Sequence, residues 1–136
     1  MPGYSGTPLP KKLGIKAGFR IYLPGMPAEL RADLKTALAE CETAGEGNSP
    51  IDFAMVFIKS RAELEKKFLT VSQRLAPAGM VWVSWPKKCS GIARDVTENV
   101  VREIGLSAGL VDVKVCAVTE VWSGLKFVRR VKDRQI

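Results

Sequence analysis

Apolar residues in this chain fall into two patterns. Short apolar runs at residues 19–23, 53–58, 80–85 and 111–119 are separated by stretches where apolar positions recur every three or four residues. The first pattern belongs to strands and the second to helices lying on a sheet. Residues 53–58 are apolar throughout, as in a strand buried on both faces. Pro24-Gly25 closes the first run, and Pro27 opens a helix with the stripe Leu30, Leu34, Ala37, Leu38 and Cys41. Residues 44–50 read as a loop. Ser60-Arg61-Ala62-Glu63 is a capping box for a helix through Leu64, Phe68, Val71 and Leu75, which ends before Pro77. Asp95-Val96-Thr97-Glu98 offers a second capping signature, opening a helix that buries Val96, Val100, Val101 and Ile104. A last β-rich run, 125–131, follows 111–119 closely enough for an antiparallel hairpin. The order β-α-β-α-β-α-β-β predicts a single α/β domain: a three-layer sandwich with a mostly parallel sheet, helices on both faces and an antiparallel last strand. Residues 1–10 read as an N-terminal arm, and a short helical turn is expected at 11–15.

Composition narrows the chemistry more than it names it. A length of 136 residues suits one domain, and 46% hydrophobic with 26% charged residues is globular, not disordered. No apolar stretch approaches the roughly 20 residues that span a bilayer, and no signal-peptide pattern opens the chain. A cytoplasmic protein is expected. The three cysteines are widely spaced, which suits reduced thiols. Histidine is absent, which excludes hydrolases of the familiar triad type and argues against a zinc enzyme. The net charge of +7 favours anionic partners, either small molecules or nucleic acid. The basic residues are dispersed along the chain, however, as on an ordinary solvated surface.

In an open α/β sheet, ligands gather outside the carboxyl ends of the strands. The run 80–85 leads there into Trp85-Pro86-Lys87-Lys88-Cys89-Ser90-Gly91, and the hairpin adds Glu120, Trp122 and Ser123. Trp85, Lys87, Lys88, Ser90, Gly91, Glu120, Trp122 and Ser123 are therefore the candidate ligand-binding residues. The lysines supply charge, the serines hydroxyls, and the tryptophans flat apolar walls. The competing reading makes the tryptophans core and the lysines solvated. Two lysines beside Cys89 would depress a thiol pKa, but without a histidine base it is read as a small, partly buried residue. Cys41 and Cys116 read as core. Asp95 and Glu98 are explained by capping, Asp112 by a turn or an ion pair, and only Glu120 is expected at the candidate edge. No spacing suggests a metal site.

Two resemblances add to this reading. Gly3 to Leu9, Lys11 to Ile15, Trp82-Val83-Ser84-Trp85-Pro86-Lys87-Lys88 with Ser90-Gly91, Gly109 to Ala117 and Trp122-Ser123-Gly124-Leu125-Lys126 resemble the bacterial family called domain of unknown function 3052. That family implies no assigned activity. Lys16 to Leu23 and Leu75-Ala76-Pro77-Ala78-Gly79-Met80-Val81-Trp82-Val83 resemble the first strand and the passage into the fifth strand of class I methyltransferases. The second resemblance implies a Rossmann-like sheet lacking that fold's second and third strands. Its order would be 1-2-3-5-4, with the first strand at an edge that the N-terminal arm could cover. It also implies an S-adenosylmethionine site, which needs a glycine-rich turn after the first strand. Residues 23–27 hold one glycine and two prolines, so that cofactor is not expected in its usual mode and no other is assigned. The expected function is a small non-catalytic binding or regulatory module that holds an anionic small molecule or a protein partner at the carboxyl edge. The alternatives are a methyltransferase-related enzyme with an atypical cofactor site, and non-specific nucleic-acid binding.

Overall fold

In the computed structural model, the described residues are 8–133 apart from 46, 48 and 92–94, and Cys89 is described by its backbone alone. Most of the expected arm, residues 1–7, lies outside them, as does the Cys89 side chain. The chain forms α1 (Leu9–Leu13), β1 (Arg20–Tyr22), α2 (Ala28–Asp33), α3 (Lys35–Leu38), β2 (Glu42–Thr43), β3 (Ile51–Phe57), α4 (Arg61–Arg74), β4 (Leu75–Pro86), α5 (Glu98–Ser107), β5 (Leu110–Ala117) and β6 (Trp122–Arg129). The sheet order is β2-β1-β3-β4-β6-β5. β2, β1, β3 and β4 run parallel, while β6 is antiparallel to both β4 and β5.

This is the expected α/β sheet with one strand more. The expectation that the first strand ends the sheet is corrected: β2 lies outside it, with Arg20 opposite Glu42 and Ile21 opposite Thr43. The Glu42 N–H donates to Phe19 O (2.9 Å) and the Ala44 N–H to Ile21 O (2.7 Å). Two residues carry no readable periodicity, and Cys41 just before them continues the helical spacing, so the strand is invisible until β1 supplies its partner. The methyltransferase-like second strand is thus present as a stub.

Two apolar layers flank the sheet. One joins Leu64, Phe68 and Val71 of α4 and Val101 of α5 to Ala54, Val56, Val81, Val83, Leu125 and Phe127. The other joins Leu13, Leu30 and Leu34 to Ile21, Phe53, Met55, Met80 and Trp82. β3 and β4 feed both layers with alternate residues, which is why their sequences are apolar throughout. Each such side chain contributes about 1.5–3 kcal/mol when fully buried. Trp82 is fully buried, and its indole N–H donates to Leu13 O (2.9 Å).

Local details depart from expectation for physical reasons. The first long helix is broken at Leu34 (φ −101°, ψ 3°), with Pro27 as the N-cap residue of α2. The capping box at α4 forms: Ser60 Oγ accepts from the Glu63 N–H (3.1 Å), while Glu63 Oε1 accepts from the Lys59 N–H (2.9 Å). The signature at 95–98 works differently from its expected form. Thr97 is the cap of α5, accepting from the Val100 N–H (3.3 Å). Asp95 instead accepts from the Arg61 N–H (2.6 Å), capping the neighbouring helix α4 across the fold. The hairpin turn lies at 118–121, so Trp122 and Ser123 belong to β6 and not to a loop. There Thr119 Oγ1 accepts from the N–H groups of Val121 and Trp122, both at 3.0 Å.

Candidate functional site

The carboxyl edge of the sheet carries two distinct regions. At one end, the expected loops do meet. Trp85 pairs with Ser123 and Pro86 with Trp122, and the Lys87 N–H donates to Val121 O (2.7 Å). Trp85 is buried in the α4–α5 core. Trp122 is half-buried, its ring edge-on to Phe57 at 5.2 Å between centroids. Ser90 Oγ donates to Lys87 O (2.7 Å) within the short 3₁₀ turn, and Gly91 follows at φ +77°. Lys88 and Glu120 are exposed, and Lys87 and Ser123 are half-buried.

The other end holds the larger recess. On the α4 face, α4 packs over β3 and β4 and α5 over β5 and β6. Among the described residues no helix covers β1 and β2 on that side, since α1, α2 and α3 contribute to the opposite layer. The uncovered strip is a groove of about 450 Å³ lined by Tyr22, Pro24, Val56, Glu63, Lys66, Lys67, Thr70 and Val71. A smaller recess of about 230 Å³ adjoins it, sharing Tyr22 and Pro24 and reaching Arg31, Thr43 and Ala44. The larger volume is within the range of small-ligand pockets.

Arg74 packs on the aromatic wall of this groove. Its guanidinium lies over the Tyr22 ring, 5.3 Å from the centroid, and donates to Gly45 O (2.8 Å) and Ser49 O (3.1 Å). One nearly buried cation thereby fixes the aromatic wall and the loop beside it. Glu63 is the acid of the groove. Burial pushes its carboxyl up, but the Lys59 N–H and the Lys67 ammonium (3.0 Å) outweigh that and hold it below its ordinary value. A carboxylate so committed to capping and pairing is a poor proton donor or acceptor at neutral pH. Lys66 has no ion-pair partner among the described residues.

Sequence reasoning named residues at the carboxyl ends of the strands and passed over these. Lys66, Lys67 and Thr70 look like the solvated face of an amphipathic helix, and only Tyr22-Leu23-Pro24 at a strand end marked the place. Among the described residues no group of three or more His, Cys, Asp or Glu could hold a metal ion. No helix among them is long and apolar enough to cross a membrane.

The fold matches solved methyltransferase structures. A putative methyltransferase from Thermoplasma acidophilum superposes with a TM-score of 0.56 at 10% identity, over 91% of this chain and 75% of that one. The pyocyanin biosynthetic protein PhzM gives 0.60 at 12% identity over 90% of this chain, which spans about half of PhzM (53%). Magnesium protoporphyrin IX methyltransferase from Synechocystis, with SAM bound, gives 0.58 at 11% identity over 90% of this chain and 74% of that one. At such identities the likeness shows the fold alone.

The residues of this chain do not fit S-adenosylmethionine in the mode the resemblance implies. In the turn at 23–27, Pro24 and Pro27 have no N–H, and the Met26 N–H donates to Leu23 O (3.4 Å). Met26 itself is buried in the core. Gly25 has φ +75°, yet a Cβ there would meet nothing within 4 Å, so the glycine serves the turn and not a close approach. At the carboxyl end of β2 stand Thr43 and Ala44; Glu42 is at its start, paired with Arg20 (3.3 Å).

No curated protein matches this sequence. The family model for Protein of unknown function (DUF3052) matches residues 12–131, most of the chain and every strand of the sheet, and the protein belongs to that family.

Proposed function

We propose that this protein is a small non-catalytic binding or regulatory module on a methyltransferase-type fold, taking an anionic small molecule in the groove between β1 and α4. The observation that carries this is the uncovered strip at the carboxyl edge, a recess of about 450 Å³ with an aromatic wall, an apolar floor and two lysines. Tyr22 offers a flat surface, Val56 and Val71 the floor, and Lys66 the positive charge, Lys67 being paired with Glu63. The immobilised Glu63 supports a binding role over acid–base chemistry. The expected residues Lys87 and Lys88, at the far end of the same edge, would meet a partner reaching beyond the groove. The second reading, an enzyme with an atypical cofactor mode, draws its support from the fold likeness to methyltransferases.

A thermal-shift panel on wild-type protein and a Thr70→Trp variant tests this. The panel holds nucleotides, phosphorylated and carboxylated metabolites, S-adenosylmethionine and its demethylated product. Thr70 is exposed on the rim, so the tryptophan fills the groove without entering the core. A ligand at about 100 times its Kd stabilises by about 2.7 kcal/mol, a shift of several degrees. We expect an anion-dependent shift that Thr70→Trp abolishes. Silence across the panel, or a shift indifferent to Thr70→Trp, rejects the groove. A shift confined to the methyl donor and lost in Thr70→Trp selects the second reading.

A further inference from the structure

A lysine cluster occupies the opposite face of the sheet, where α1 packs. Along β6, Leu125 and Phe127 enter the α4–α5 core, while Trp122 and Val128 pack on the α1 side. Alternation therefore points Lys126 to the α1 side. The register places Lys126 directly opposite Lys114 of β5, a like-charge pair of a kind that destabilises a sheet. The Lys114 ammonium donates to Lys12 O (3.1 Å), which brings α1 into the group. Lys126 Nζ is 3.4 Å from the point a Cβ on Gly14 would occupy, so the chain just after α1 walls it in. Burial lowers the pKa of Lys126, and the charges of Lys114 and Lys16 lower it further. The buried Cys116, two residues along β5, feels Lys12, Lys114 and Lys87 together.

No acid among the described residues forms an ion pair with this group. The ion pairs among the described residues use Arg20, Arg61, Lys67 and Arg102, and none uses Lys12, Lys16, Lys87, Lys114 or Lys126. Two facing lysines on the sheet beside the lysines of and just after α1 concentrate positive charge on this face, complementary to a compact polyanion.

We propose that Lys12, Lys16, Lys114 and Lys126 form a binding site for a small oligophosphate group on the α1 face. The site is separate from the groove and independent of the reading given for it. Two features favour a compact phosphate group over a nucleic-acid strand. The cations lie about one half-buried ammonium, Lys114 opposite it on β5 and the others on or just after α1, and not along a track. Of the aromatics on this face, Trp82 is fully buried with its N–H committed to Leu13 O, and the half-buried Trp122 is packed against Phe57, 5.2 Å between ring centroids, so neither stands free as a stacking platform.

Isothermal titration with sodium tripolyphosphate, ATP and a 12-nucleotide single-stranded DNA (roughly one single-strand site) tests the proposal at low salt and at about 150 mM. The proteins are wild type, Thr70→Trp, and Thr70→Trp carrying Lys126→Gln, Lys114→Gln or, as a groove control, Lys66→Gln. Saturable tripolyphosphate binding is expected, and the binding that persists when Thr70→Trp blocks the groove is weakened about tenfold by Lys126→Gln and by Lys114→Gln introduced into that variant. ATP binding that follows the same pattern assigns the oligophosphate to a nucleotide, while binding of tripolyphosphate alone assigns it to a free polyphosphate. Lys114 is exposed, so its variant keeps the fold even where Lys126→Gln perturbs it. Absence of saturable binding in the Thr70→Trp variant overturns the proposal. So does equal weakening by Lys66→Gln in that variant, and so does DNA binding tighter than tripolyphosphate at the higher salt.

Discussion

Gly105→Ala tests the packing of α5 on the sheet. A Cβ at this position would sit 2.0 Å from Phe127 Cε1 and 2.3 Å from Cζ, inside the contact distance of carbon atoms. Phe127 cannot give way freely, being fully buried with its ring edge-on to Phe68 at 5.4 Å. In an unconstrained helix, alanine would add about 1 kcal/mol over glycine. Overpacking a core costs about 1–3 kcal/mol, and the overlap here is severe enough to place it at the upper end. The net expectation is a loss of about 1–2 kcal/mol, with a melting point roughly 3–8 °C lower. Urea unfolding followed by tryptophan fluorescence reads this directly. In a Phe127→Leu background the same substitution should cost about 1 kcal/mol less, because the obstructing ring is gone. A Gly105→Ala protein as stable as wild type, or a loss unchanged by Phe127→Leu, would refute the reasoning.

Two further outcomes follow from the polar contacts. Asp95→Ala should lower stability by about 1 kcal/mol in urea unfolding, since it leaves the Arg61 N–H without its cap, while Asp95→Asn keeps most of it; an alanine variant matching wild type would contradict the cap. Arg102, hydrogen-bonded to Asp112 at 3.0 Å, holds that carboxyl below its ordinary value of 3.8. A depressed folded pKa contributes stability above the unfolded pKa and loses it as the pH falls through the folded one. Asp112→Asn should therefore destabilise at pH 6, and the difference from wild type should shrink as the pH falls below the ordinary value and through the folded one; a loss that stays the same as the pH is lowered would show that the pair is not the cause.

The α/β class and the layer arrangement were legible because they depend on short-range signals; the order of five strands was implied by the resemblance to class I methyltransferases. The apolar run at 53–58, the capping box at Ser60 and the helical stripe of Leu64, Phe68 and Val71 each carry their structure locally. The carboxyl edge was legible too, since it follows from strand direction alone. Residue-level placement was less so. Trp122 and Ser123 read as loop because Gly124 looks like a turn, whereas pairing with Trp85 and Pro86 draws them into β6.

By itself the sequence determined that this chain folds as a parallel sheet between helices, lacks histidine chemistry and carries an excess of positive charge. Only the tertiary structure decided where that charge and the free surface lie. Lys12 and Lys114 are more than a hundred positions apart and meet because β5 returns beside α1. Tyr22 and Lys66 line one groove because, among the described residues, no helix covers β1 on the α4 face. Periodicity reports which side of its own element a residue occupies; which elements stand opposite it, or fail to, is set by chain crossovers that leave no local pattern.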